Sequence, residues 1–226
     1  MRLLLTSAGV KNASIHDALV QLLGRPISES RALCIPTAMY AMPGGPEAAF
    51  RFVSGSSSTP LCELGWRSLG VLELSALPSL GEQAWLPMLE ETDALLVGGG
   101  DALYLSHWLR RSGLEARLRT LDHDTVYVSV SAGGMALAPK VGEEFIGWRP
   151  PDGSERALGV VDFAMFPHLD HVDLPSNCMA NAETWAAALD VPAYAIDDQT
   201  AIRVIDGTPE IVSEGHWRRF MPAGGG

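Results

Sequence analysis

Val126-Tyr127-Val128-Ser129-Val130-Ser131-Ala132-Gly133-Gly134-Met135-Ala136-Leu137-Ala138 is a run of β-favouring residues that passes directly into small residues and then into a helix-compatible stretch. A mostly apolar run of this length reads as a strand buried on both faces, the condition of a parallel sheet covered by helices. Its immediate continuation into a helix makes a sharp turn with Ser131 at the apex. Such a turn projects one hydroxyl beyond the strand's carboxyl end, and small neighbours let backbone approach backbone. The N–H groups that open the following helix favour negative charge developing nearby. Two readings of Ser131 follow: an exposed nucleophile, or the N-cap of the helix, a role serine fills routinely. Ser129 stands where a full Gly-x-Ser-x-Gly elbow has its first glycine, so this stretch alone leaves both open.

Outward from it, short apolar runs alternate with helical patterns. Leu3-Leu4-Leu5, Ala32-Leu33-Cys34-Ile35, Val71-Leu72-Glu73-Leu74, Ala94-Leu95-Leu96-Val97 and Val160–Phe166 read as further strands. Apolar residues spaced three and four apart predict helices near 14–23, 46–54, 81–90, 101–111 and 114–121. This alternation predicts right-handed βαβ units and an α/β/α sandwich of three layers with a mostly parallel sheet. After residue 195 the pattern changes: Thr200–Ile205 and Glu210–Ser213 flank Asp206-Gly207-Thr208-Pro209, an antiparallel hairpin closing one sheet edge. The expected organisation is one α/β domain over 1–222, with Ser54–Pro60 as a surface loop and 223–226 as a frayed tail.

Composition sets outer limits. The chain has 226 residues, 47% hydrophobic and 19% charged, and a formal net charge of −11. An acidic surface disfavours nucleic acid and anionic membranes, which need a positive field. Mean hydropathy is +0.12, and no apolar run approaches the roughly 20 residues of a membrane span. Met1–Leu5 is too short for the apolar core of a signal peptide. Cys34, Cys62 and Cys178 are odd in number and far apart, so neither a disulfide framework nor a cysteine-based zinc site is indicated, and a cytoplasmic location is expected.

A second loop, Val97-Gly98-Gly99-Gly100-Asp101, also joins an apolar strand to a helix. In an open parallel sheet it opens at the same crevice as Ser131. Successive glycines expose backbone N–H groups, which can join the N–H of Ala132 as oxyanion donors. The plainer reading is a glycine turn with Asp101 as helix cap, and the spacings of dinucleotide and phosphate loops are absent.

A serine nucleophile needs a base. Pro167-His168-Leu169-Asp170-His171 follows the Val160–Phe166 run, and the proline stiffens the chain just before His168, the expected base, with His171 in reserve. The same stretch through Asp173 carries metal-ligand types without a recognised spacing. His107 follows the glycine loop on a helix, while His16, His123 and His216 have no supporting context. For the carboxylate that orients the histidine, Glu143 and Glu144 stand in the loop after the Ser131 helix; solvated surface acids are their plainer reading.

The segments Val97–Asp101, Val130-Ser131-Ala132-Gly133 and Phe166-Pro167-His168, in this order and spacing, resemble the dipeptidase E/cyanophycinase family of serine peptidases, relatives of the class I glutamine amidotransferase fold. The resemblance implies a flavodoxin-like sandwich and a serine hydrolase without metal or organic cofactor. It makes Ser131 the nucleophile, His168 the base, and Gly99 and Ala132 oxyanion donors, with Gly98, Gly100 and Asp101 completing the loop. Glu144, then Glu143, matches the position of the family's acid. Dipeptidase E reads an aspartyl side chain with an arginine after a Glu-Thr pair; here Glu183-Thr184 precedes Trp185, so aspartyl specificity is not implied. The expected activity is hydrolysis of short peptides through an acyl-enzyme. A non-catalytic small-ligand-binding protein of the same fold and a metal-assisted hydrolase are the competing classes, and the edge hairpin could support a homodimer.

Overall fold

The computed structural model describes residues 1–120 and 125–222. Its first half runs β1 (Arg2–Thr6), α1 (Ala13–Leu23), β2 (Arg31–Ile35), α2 (Gly45–Val53), β3 (Ser68–Val71), α3 (Leu86–Glu90), β4 (Ala94–Val97), α4 (Ala102–Arg111) and α5 (Leu114–Thr120). The second half runs β5 (Val126–Val130), α6 (Ala132–Met135), β6 (Ala164–Phe166), α7 (Met179–Ala187), β7 (Ala193–Ile196), β8 (Thr200–Ile205), β9 (Thr208–Ser213) and β10 (Trp217–Phe220).

A seven-stranded sheet has the order β3-β2-β4-β5-β1-β8-β9, parallel from β3 to β1 and antiparallel from β1 to β9. Successive side chains of its inner strands enter opposite layers. Leu3, Leu5, Leu95, Val97 and Tyr127 join the core under α4 and α6. Leu4, Leu96, Val126, Val128 and Val130 join the core with Ile15, Leu19 and Leu22 of α1 and Phe52 of α2. Apolar surface buried on both faces contributes on the order of 25 cal/mol per Å², and it explains why these strands read as apolar runs. The three-layer α/β sandwich is therefore present.

Local signals account for the ends of several elements. Asn12 caps α1 by accepting from the Ile15 N–H at 2.9 Å, and Gly24 ends it in the left-handed region. Asp206 and Gly207, both at positive φ, make the two-residue turn between β8 and β9.

Some expected elements differ. The strand expected at Val71–Leu74 is β3, which ends at Val71 on the sheet edge; Leu72 and Leu74 are apolar because they are buried in the turn beyond it. The helix expected at 81–90 is a short turn at Glu82–Ala84 followed by α3, where Pro87 sits at the start. Of Val160–Phe166 only the last three residues are strand, because Leu158, Val160 and Val161 give their N–H groups to Ala136 and Leu137 carbonyls after α6. A second, three-stranded sheet, β10-β7-β6, takes β6 out of the main sheet. Its core contains Phe166, Ala182, Trp185 and Ala195. The expected tail at 223–226 lies outside the described residues.

Candidate active site

Ser131 follows the last residue of β5 at φ 50° and ψ −118°, a backbone region that non-glycine residues rarely adopt. The Ser131 N–H donates to the Thr6 carbonyl at 2.9 Å, and the Ser131 carbonyl accepts from the Gly134 and Met135 N–H groups. Ser131 therefore occupies the N-cap position of α6, but its side chain makes no capping bond among the described residues, which leaves the hydroxyl uncommitted to the helix. The small residues expected around it are required by contact. A Cβ on Gly133 would lie 2.8 Å from the Val97 carbonyl oxygen, and one on Gly99 would lie 3.4 Å from Ser131 Cβ. The Tyr127 hydroxyl donates to the Gly133 carbonyl at 2.8 Å, pinning the turn from below. Ser129, where an elbow would have glycine, is fully buried, and its hydroxyl has no partner among the described residues.

The glycine loop divides its roles. Gly98 gives its N–H to the Ile35 carbonyl at 3.0 Å and has no donor to spare. Gly100, at φ 130°, is pressed against Ala38. The Gly99 N–H has no backbone acceptor among the described residues, and Ala132, as first residue of α6, has none within its helix. Asp101 is buried and spends both oxygens inside the fold, accepting from Tyr104 N–H at 2.8 Å and Trp148 N–H at 2.6 Å. It is a helix cap and loop anchor, which removes it from the expected substrate-binding set.

His168 begins the loop after β6 at φ 56°. Its Nδ1 lies 2.7 Å from Asp198 Oδ1. Its N–H donates to Ser7 Oγ at 2.7 Å, while Ser7 Oγ donates to Asp198 Oδ1 at 3.0 Å. An ionised carboxylate only accepts, so Nδ1 carries the hydrogen, and in the neutral form of the ring the lone pair is then on Nε2. Burial pushes the Asp198 carboxyl up, but hydrogen bonds from His168 and Ser7 and the charges of His168 and His171 outweigh it, holding the group below the ordinary carboxylate range. Ser131 and His168 are thus tied to consecutive residues, Thr6 and Ser7, at the carboxyl end of β1.

The carboxylate on His168 is therefore Asp198, which corrects the expectation of Glu144 or Glu143. Asp198 follows β7, and β7 runs parallel to β6, so both strands deliver their carboxyl-end loops to the same rim. Glu143 instead approaches Arg149 at 3.8 Å, and Glu144 lines a neighbouring cavity with Phe166 and Thr184. Trp185, expected at the substrate, is 1% exposed and donates from Nε1 to the Val141 carbonyl at 2.9 Å, bracing the loop that carries Glu144.

The remaining histidines separate. His171 reaches Asp198 Oδ2 at 3.6 Å, whereas Asp170 turns to His216 at 2.9 Å and Asp173 takes its N–H to His171 Nδ1. Among the described residues, no group of three or more His, Cys, Asp or Glu side chains is arranged to hold a metal ion. His107 lies edge-on to Trp108 and Trp148, and burial, then Arg111, lowers its pKa. His16 pairs with Asp17, and His123 lies outside the described residues. No described helix is long and apolar enough to cross a membrane.

The model for peptidase family S51 matches residues 3–212. The chain belongs to peptidase family S51. Among solved structures, a protein provisionally named peptidase E from Listeria monocytogenes EGD-e is 18% identical, with a TM-score of 0.64, over 95% of this chain and 98% of that one. A peptidase from an acI-B1 actinobacterium is also 18% identical, with a TM-score of 0.67, over 98% of this chain and 94% of that one. Among curated proteins none matches significantly. The two structures share the fold, and S51 membership makes this chain a serine-peptidase-family hydrolase.

Proposed function

We propose that this S51 member hydrolyses short peptides with Ser131 as nucleophile, His168 as base and Asp198 as the orienting acid. The observation that carries the reading is the 2.7 Å bond from His168 Nδ1 to Asp198, on a loop tied to the same strand end as the strained Ser131 turn. The short-peptide part rests on the likeness to a peptidase E structure and on the resemblance of the three loops to dipeptidase E.

Ser131 Oγ attacks the scissile carbonyl carbon while His168 Nε2 takes its proton. The N–H groups of Gly99 and Ala132 receive the oxyanion, a type of contact whose single loss costs about 10²- to 10³-fold in rate. The imidazolium, stabilised by Asp198, returns the proton to the leaving amine as the C–N bond breaks. Water then enters, His168 removes its proton, and the acyl-enzyme is hydrolysed to the acid.

The test is labelling with a fluorophosphonate, read by intact mass and peptide mapping. One adduct at Ser131, lost in Ser131→Ala and strongly slowed in Asp198→Asn, is the expected result. Folded wild-type protein that leaves Ser131 unlabelled overturns the reading.

A further inference from the structure

Against the chain that leads into His168 lies a cavity of about 290 Å³ lined by Glu144, Phe145, Phe166, Ser176, Asn177, Asn181 and Thr184. It adjoins the His168 loop directly. Phe166 is two residues before His168, and Asn177 Nδ2 donates to the carbonyl of Pro167 at 2.9 Å.

The polar rim has used up most of its donors. Ser176 Oγ donates to Asn177 Oδ1, Asn181 Nδ2 to the Ser176 carbonyl, and Thr184 Oγ1 to the Ala180 carbonyl. What these groups still offer is mainly acceptor capacity. Glu144 adds a carboxylate that makes neither a hydrogen bond nor an ion pair among the described residues, unlike Glu143 beside Arg149. Among the described residues, no basic side chain lines the cavity. The positive end of α7 is already answered by Asp170, whose Oδ1 accepts from the Met179 N–H at 3.2 Å. Phe145 and Phe166, edge to face at 5.2 Å, supply ring surface suited to an aliphatic stem or a guanidinium plane.

We infer that this cavity is the substrate side-chain pocket and that it selects a cationic side chain, arginine or lysine, next to the scissile bond. The inference rests on the peptidase reading above. An acidic side chain would meet Glu144 without a compensating cation, in a protein whose net charge is already −11.

The test compares kcat/KM on a panel of otherwise identical peptides carrying Arg, Lys, Gln, Leu or Asp on either side of the cleaved bond. Wild type is expected to favour Arg or Lys over Leu and Asp at one of the two positions by tenfold or more. In Glu144→Gln the Arg-to-Leu ratio falls at least tenfold, and in Glu144→Lys the preference moves toward Asp. In parallel, calorimetry on Ser131→Ala measures binding of the Arg and Asp peptides with Glu144 present and replaced. Glu144-dependent binding of the Arg peptide without hydrolysis by wild type keeps the pocket and removes the peptidase reading. Hydrolysis with a preference for Asp or Leu, an equal loss on every substrate in Glu144→Gln, or binding indifferent to Glu144 overturns the pocket.

Discussion

Ser7 Oγ accepts the backbone N–H of His168 at 2.7 Å and passes its own hydrogen to Asp198 Oδ1 at 3.0 Å. One buried hydroxyl therefore fixes both the main chain of the histidine, held at φ 56°, and the carboxylate behind its ring. Ser7→Ala removes both bonds without changing the core. We predict that it folds and lowers kcat about 10- to 100-fold with a smaller change in KM, as expected when a preorganised base loses its support. Steady-state kinetics with circular dichroism as the folding control provide the check; wild-type kcat in the variant would show that Ser7 only packs.

The acid role separates by substitution. In Asp198→Asn an amide N–H can face Nδ1 and force the ring hydrogen onto Nε2, the wrong tautomer for a base. A loss of kcat approaching 10⁴-fold is the order seen for such a change. Glu143→Gln leaves the His168 partners untouched, and Glu144→Gln acts on the neighbouring cavity. The expected ranking of kcat loss is Asp198→Asn far above Glu144→Gln, with Glu143→Gln smallest. A Glu144→Gln loss that equals that of Asp198→Asn on every substrate would return the acid role to the loop after α6.

Asp198 also links stability to pH. Its folded-state pKa lies below the ordinary 3.8. A depressed carboxylate contributes stability that is fully present above the unfolded value and lost as pH falls through the folded one. Between about pH 5 and pH 3, wild type is expected to lose more urea resistance than Asp198→Asn, which has no group to protonate there. Parallel falls in the two urea midpoints would mean that the His168 and Ser7 bonds do not hold the carboxylate ionised.

The elbow and the glycine loop were legible because they combine buried apolar strands with residues that only close backbone contact demands. Gly133 against Val97 and Gly100 against Ala38 are such contacts. Asp198 was not legible at its own position. Ala193–Ile196 is a strand of only four residues in a separate sheet, and its parallel pairing with β6, not any motif, brings the following Asp197-Asp198 to His168. The signal available was an apolar run ending in two aspartates. Ser7 carried a similar signal, a polar residue just past the apolar β1 strand. Trp185 misled because its position matches a substrate-reading arginine, while its size and its Nε1 bond to Val141 make it core.

The neighbouring glycines of the 98–100 loop should respond differently to the same substitution. A Cβ on Gly100 would lie 2.3 Å from the Ala38 carbonyl oxygen, and its φ of 130° is strained for any L residue. Gly100→Ala must shift backbone on both sides, and a stability loss of about 1 to 3 kcal/mol follows from overpacking of this kind. A Cβ on Gly99 meets nothing closer than 3.4 Å among the described residues, at Ser131 Cβ and the Val130 carbonyl. Gly99→Ala should keep its melting temperature within a few degrees yet lose activity, because the added methyl stands beside the nucleophile and next to the N–H assigned to the oxyanion. Thermal unfolding and kcat measured on both variants separate the two effects. Full activity in Gly99→Ala, with a fold as stable as wild type, would show that the reacting atoms do not occupy the space beside Ser131 Cβ that the methyl fills, contrary to the oxyanion placement given to this loop.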